Sequence, residues 1–410
     1  MMILENCRIL DVSDSSLSDE ISIIIEDGRF SRIESNRNSN TTSDVVDLGG
    51  RVVMPGMIDA HVHVVGVAKT FSENQNWPMS LITAKAIPIL ENMLRRGFTT
   101  VRDAGGADWG LARAVESGLV TGPRIFFSGK AITQTGGHAD MRSLTDSFVG
   151  CHCCQLPGSL GRIVDGVPEL RRAIRDEFRK GATQIKLFAS GGAFSSHDPI
   201  TNAQFSMEEL TAAVEEAFIA RTYVMAHAFP DIAIDRAVRA GIRSIEHGCY
   251  ITPDTARRMA DKGAFLVPTL AVFDAYKEEG EAQHYPQGTI DRSTELLDRS
   301  RDAIAIGQDA GVPICFGSDV TGPFHGRQSR EIFLRSEFMS PSEVLRSATV
   351  TNAEMMMLAG DLGVITPGAI ADLLVLNTNP LDDISCLYAP GEDGYPRGID
   401  MVMKDGRFIA

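Results

Sequence analysis

Pro55-Gly56-Met57-Ile58-Asp59-Ala60-His61-Val62-His63 is the stretch on which the fold turns. It reads as a short apolar strand that runs into two histidines. Residues two apart on a strand share a face, so both imidazoles can address one ion. Downstream, short apolar runs alternate with amphipathic helical stretches. Seven more candidate strands follow: Thr99–Asp103, Arg124–Ser128, Gln184–Ala189, Tyr223–Ala228, Ser244–His247, Phe265–Thr269 and Pro313–Asp319. Helices are predicted over Leu170–Lys180, Met207–Ala220 and Asp231–Ala240, the first and last stopped by Gly181 and Gly241. Strand–helix alternation of this kind implies a parallel sheet, and eight units suit a (β/α)8 barrel of the TIM type. A doubly wound open sheet is the alternative, but no Gly-x-Gly-x-x-Gly turn follows an early strand.

Outside this block the character changes. Ile21–Glu26 is a β-branched run stopped by Asp27-Gly28, and Val45–Val53 carries a Gly49-Gly50 turn. Near the other end, Asp372–Asn377 reads as a buried strand, and Asp400–Met403 leads into Lys404-Asp405-Gly406-Arg407-Phe408. That echoes Glu26-Asp27-Gly28-Arg29-Phe30. The expectation is one small β-sandwich domain built from residues 1–55 and 361–410, flanking a catalytic barrel over 56–360. Gly136–Val167 breaks the strand–helix rhythm and reads as a functional loop.

Composition narrows the classes. Hydrophobic residues make up 43% and charged residues 23% of the 410, the balance of a globular protein. A net charge of −15, from 39 basic and 54 acidic side chains, argues against nucleic acid as partner, because phosphate binding needs a basic footprint. No apolar run approaches the roughly 20 residues that span a bilayer, and Met1–Glu5 lacks the features of a secretory signal. Seven irregularly spaced cysteines suit a reducing compartment. A cytoplasmic protein without a membrane partner is expected.

The chemistry concentrates at strand ends. His227 lies in the fifth strand, His247 closes the sixth and Asp319 the eighth. Lys186 sits inside Ile185-Lys186-Leu187-Phe188, where an amine is costly unless paired or modified. Any one of these could be decoration: a His-x-His pair is often ordinary strand polarity, and a lysine can snorkel out of a barrel. Independent decoration has no reason to select successive strand ends, and barrel enzymes keep their sites there.

These motifs resemble the amidohydrolase superfamily. Pro55 to His63 is similar to its opening signature, and Ile185-Lys186, Ala226-His227-Ala228, Ile245-Glu246-His247-Gly248 and Gly317-Ser318-Asp319 match its later motifs in order. Thr135-Gly136-Gly137-His138-Ala139-Asp140 and Ser190-Gly191-Gly192 resemble the peptidase branch near imidazolonepropionases, with prolidases, Xaa-Arg/Lys carboxypeptidases and ochratoxin-type amidohydrolases. The resemblance implies two divalent metal ions, zinc being favoured by an imidazole and oxygen donor set. His61, His63 and Asp319 would hold the buried ion and His227 and His247 the other, with N6-carboxylated Lys186 bridging them. It implies amide hydrolysis by a metal-bridging hydroxide that releases a C-terminal amino acid from a dipeptide or N-acyl amino acid, ochratoxin-type amides included. Asp319 would act as base and then acid, and His138 would steady the tetrahedral oxyanion. Relatives commonly form homo-oligomers.

Around this constellation the assignments are softer. Arg142 offers a fork for a substrate carboxylate or a surface role. His325, in the loop after the eighth strand, is a candidate substrate contact. Phe229 stands where prolidase-like relatives often carry tyrosine, so Tyr223 or another group must supply that hydroxyl, or the substrate differs. Cys151-His152-Cys153-Cys154 resembles half a metal site without a second ligand pair; it otherwise belongs to the loop. Two rival functions stand beside amide cleavage of this kind: hydrolysis of a cyclic amide, as in imidazolonepropionase or hydantoinase relatives, and a noncatalytic barrel scaffold.

Overall fold

The computed structural model of the chain describes residues 1–35, 44–143, 145, 158–193 and 198–409. The Cys151–Cys154 cluster therefore lies outside the described residues. The chain opens with β1 (Met2–Asp11), β2 (Ser16–Leu17), β3 (Ile21–Glu26), β4 (Arg29–Ser35) and β5 (Asp44–Pro55). There follow β6 (Met57–Val62), β7 (Phe98–Asp103), β8 (Arg124–Phe127), β9 (Ala131–Thr133), β10 (Gly161–Ile163), β11 (Ile185–Phe188), β12 (Val224–Pro230), β13 (Ser244–Tyr250) and β14 (Phe265–Val267). It ends with β15 (Leu373–Leu376), β16 (Ile399–Lys404) and β17 (Arg407–Phe408).

Both ends of the chain meet in one sheet, in the order β17-β16-β15-β5-β1-β3-β4, with β2 paired to β1. The two Asp-Gly hairpins foreseen from their matching sequences are both present and converge on one residue. Ala371 N–H donates to Gly28 O and Gly406 N–H to Ala371 O, each at 2.8 Å. Leu4, Ile23, Phe30, Val53 and Leu373 form the apolar core of this region. The expected turn at Gly49-Gly50 is instead an irregularity inside the long β5. Positive φ values of 58° and 80° let the two glycines absorb extra residues between the Glu5–Asp47 and Cys7–Arg51 pairings without ending the strand.

The middle of the chain is a mixed α/β structure with two parallel sheets, β6-β7-β8 and β10-β9-β11-β12-β13-β14. β6, β7 and β11 are buried at every position, as strands covered on both faces must be. Helices fall where period and caps place them. Met207–Ile219 starts at a reciprocal Ser206/Glu209 capping box, and Asp231–Ala240 ends at left-handed Gly241. The long irregular stretch contributes β10, paired to β9.

Two seams relate the parallel sheets. At one, Thr183 N–H donates to Phe127 O at 2.8 Å. At the other, the expected eighth strand is reduced to a single bridge, Ile314 to Leu266. Its backbone is satisfied piecemeal: Cys315 N–H goes to Leu266 O, Asp319 N–H to His61 O, and Ser318 N–H to the Asp59 carboxylate. Phe316 O accepts from Ala60 N–H, while Phe316 N–H is shared between Ser347 O and the Asn352 side chain. Side chains thus replace part of the ladder. Fully buried Asp59 is the central clamp, accepting also from Ser318 Oγ at 2.5 Å and Gln328 Nε2 at 2.9 Å. Among the described residues no helix is long and apolar enough to cross a membrane.

Candidate metal centre

The signature strand and the distant motifs converge. The Nε2 atoms of His61 and His63 each lie 3.5 Å from Asp319 Oδ1. Donor atoms of His61, His247 and Asp319 fall within 4.8 Å of one another. The His61 and His247 rings are 5.1 Å apart, and those of His227 and His247 4.8 Å. Lys186, the second residue of β11, is 1% exposed and projects into the same cavity.

Each imidazole has one nitrogen committed to an oxygen of the protein. His61 Nδ1 bonds Glu246 Oε2 at 2.6 Å, His63 Nδ1 bonds Gly105 O at 2.9 Å, His227 Nε2 bonds Gly191 O at 3.1 Å, and His247 Nδ1 pairs with Thr269 Oγ1 at 2.7 Å. A carboxylate or carbonyl partner selects the tautomer at His61, His63 and His227 and turns the other nitrogen's lone pair outward, as metal ligation requires, whereas the Thr269 hydroxyl can donate or accept at His247. Burial is the largest force keeping the rings neutral. It lowers His63 to about 3 and the other three well below the usual histidine range, with neighbouring rings and the Lys186 amine acting in the same direction. Burial likewise lowers the Lys186 amine and raises the Asp319 carboxyl, each pulled back by opposite charge. Neutral imidazoles, an amine readied to lose its proton, and a buried carboxyl lacking a full counter-charge make a donor set that fits divalent cations.

The backbone is bent to build it. His247 and Asp319 have φ of 69° and 53°, a left-handed conformation uncommon for such residues. At His247 the bend defeats strand alternation: Glu246 and His247, adjacent in β13, both reach His61. Fully buried Glu246 is held in turn by the Arg102 guanidinium at 2.9 Å, and Arg102 also donates to Ala60 O at 2.6 Å.

Above this floor lies a cavity of about 490 Å³ with a largely aromatic wall that includes Phe71, Phe188, Phe229, Phe273, Tyr276 and Tyr285. His138 lines it, stacked on His227 at 4.6 Å and 19° and bonded through Nδ1 to Asp198 Oδ2 at 3.0 Å. Arg142 reaches the cavity but is gripped by Asp140 in a fork at 2.7 and 2.5 Å. Phe229 lies flat on His247, ring planes 8° apart.

Two expected substrate contacts are not brought to this cavity. Tyr223 immediately precedes β12, at the strand's entry rather than its exit, and packs with Ile58, Phe265 and Cys315 beside Arg102. His325 is folded back by a tight 3-10 turn, Gly322–Arg327, and its buried Nε2 bonds Gly66 O at 3.0 Å. The tyrosines that do line the cavity are Tyr276 and Tyr285; Tyr276 interacts electrostatically with Asp319 and hydrogen-bonds Tyr285 and Thr321. Sequence reading also passed over Glu246, Arg102 and Asp198. Glu246 was visible beside His247 but lay on the wrong face by strict alternation. Asp198 is 60 residues from the histidine it holds, and no local pattern links them.

Fold and site together define a class: a parallel α/β protein with a cluster of histidines, a lysine and an aspartate that fits a metal, contributed by β6, β11, β12 and β13 and by the segments around His63 and Asp319. The chain belongs to the amidohydrolase family, whose pattern it matches over residues 52–409. Ochratoxinase of Aspergillus niger is 32% identical over 375 residues, covering 87% of this chain and 75% of that protein. The imidazolonepropionase of Cutibacterium acnes is 25% identical over 436 residues, covering 100% and 97%. A solved prolidase, complexed with N-methylphosphonate-L-proline, superposes with a TM-score of 0.95 at 43% identity, covering 100% of this chain and 99% of that one.

Proposed function

We propose that this protein is a binuclear metal-dependent amide hydrolase that releases a C-terminal amino acid from dipeptides or N-acyl amino acids. The observation carrying this reading is Lys186: a buried amine among four neutral imidazoles and Asp319, where carboxylation by CO2 would turn a costly group into an anionic oxygen bridge. His61, His63 and Asp319 would hold one ion, His227 and His247 the other, with Lys186 shared. The two parallel sheets are read as parts of one (β/α)8 barrel joined at their seams, over residues 56–360. The sheet of both termini is read as a separate small β domain, 1–55 with 361–410. The likeness to a prolidase holding a proline-based phosphonate and to ochratoxinase supports a carboxylate-bearing amide as substrate.

When bound, the ions would lower the pKa of water and polarise the amide carbonyl. The chain's own part begins with Asp319, which takes a proton from the attacking water as its oxygen bonds to the carbonyl carbon. Asp319 then gives that proton to the amide nitrogen as the C–N bond breaks. His138, bonded through Nδ1 to Asp198, would present Nε2 to the carbonyl oxygen on which negative charge develops. The aromatic wall excludes water from the apolar part of the substrate.

A library of dipeptides, N-acyl amino acids and cyclic amides, assayed for amino-acid release with zinc-loaded and chelator-stripped protein, tests this. Release of a free amino acid from linear amides, abolished by metal removal and restored by zinc, is the expected result. Turnover confined to cyclic amides, or insensitive to stripping, would overturn it.

A further inference from the structure

We propose that Asp198 is the positioning residue for His138, acting through the imidazole and never on the substrate. Asp198 is 2% exposed, and its Oδ2 accepts from both His138 Nδ1 at 3.0 Å and Gly192 N–H at 3.1 Å. A carboxylate sharing one oxygen between a ring and a backbone amide cannot follow the ring if it swings, so the ring is tied to the loop after β11. His227 covers one face of the ring, 4.6 Å away, and Phe188 approaches it edge-on at 5.2 Å. With Nδ1 engaged, Nε2 is the nitrogen left for the cavity that His138 lines.

Gly192 supplies the room. A Cβ built there would sit 1.7 Å from His138 Cε1, far inside any real contact, so no other residue coexists with this ring position. The Ser190-Gly191-Gly192 run is therefore part of the same device: Gly191 O fixes His227, while Gly192 gives space to His138 and an N–H to Asp198. Among the described residues Asp198 Oδ1 has no hydrogen-bond partner, so all of the carboxylate's described bonding serves this arrangement.

The role of His138 at the oxyanion rests on the proposed function; the tie between Asp198 and the ring does not. The experiment accordingly has two arms on the full-length, zinc-loaded protein. In the first, proton NMR of histidine-15N-labelled protein should show a downfield Nδ1–H resonance, assigned to His138 by its loss in His138→Gln. It should vanish in Asp198→Ala, and also in Gly192→Ala, which keeps the carboxylate but displaces the ring. In the second, Asp198→Ala should lower kcat about 10- to 100-fold, the usual cost of losing such a support, with KM and metal content little changed. Added to His138→Gln it should cost nothing more, because both changes remove one function. A resonance that persists in Asp198→Ala, or losses that multiply in the double variant, would overturn the inference. Should the wild type cleave no amide, the proposed function fails while the NMR arm still decides this one.

Discussion

The floor of the cavity and its wall are built by different rules. Most floor donors come from strands whose neighbours fix their register: Phe188 pairs with His227, and Ala228 with His247, while His63 and Asp319 lie just beyond strand ladders. The wall draws on more kinds of element: Phe188 and Phe229 lie on β11 and β12, Phe273 and Tyr276 share the helix Leu270–Glu279, Phe71 opens a short helix, and Arg142 and Tyr285 lie in connecting segments. On a regular strand a donor cannot be moved by one residue without turning to the other face; His247, with its left-handed φ, is the exception. A wall residue can be exchanged with little effect on the sheet below, so one floor can serve many walls. Phe229 sits at the border, two residues beyond a donor yet part of the wall.

Three substitutions probe that division. Asp319→Asn removes the proposed proton carrier from the floor and should lower kcat by about 10²–10⁴-fold, with far-UV circular dichroism unchanged. Substantial activity in this variant would sink the division itself. Glu246→Gln acts one layer lower. It weakens the grip on His61 Nδ1 and leaves the Arg102 guanidinium without its carboxylate, so zinc affinity should fall about 10- to 100-fold by competition with a chelator. Denaturant unfolding of the metal-free protein should show a loss of about 3–5 kcal/mol, the cost of an uncompensated buried charge. A variant that binds zinc normally would mean that Glu246 serves stability alone. Phe229→Tyr changes only the wall. It should shift substrate preference, read as kcat/KM ratios across the amide library, by no more than about tenfold, or ~1.4 kcal/mol, with metal content unaltered. Loss of metal here would show that wall and floor are not separable.

The donors of the floor were legible because strand chemistry is local. An apolar run ending in His61-Val62-His63, an amine buried in Ile185–Phe188, and Glu246-His247-Gly248 at a strand's exit each carry their meaning within a few residues. The paired hairpins were legible for the same reason, since Asp27-Gly28 and Asp405-Gly406 specify tight turns by themselves. The eighth strand was overestimated because Asp59, Asn352 and the Ser347 carbonyl take up bonds that a ladder would otherwise make.

Thus the sequence alone determined the kinds of side chain available to the site and the strands that carry them, because periodicity and turn chemistry act over neighbouring residues. Tertiary structure alone decided which groups hold those side chains and which line the cavity. The left-handed bend at His247 lets the adjacent Glu246 and His247 both reach His61, Asp198 reaches His138 across 60 residues, and Tyr276 rather than Tyr223 or His325 faces the cavity. Those choices rest on distance and backbone direction in space, which no local pattern encodes.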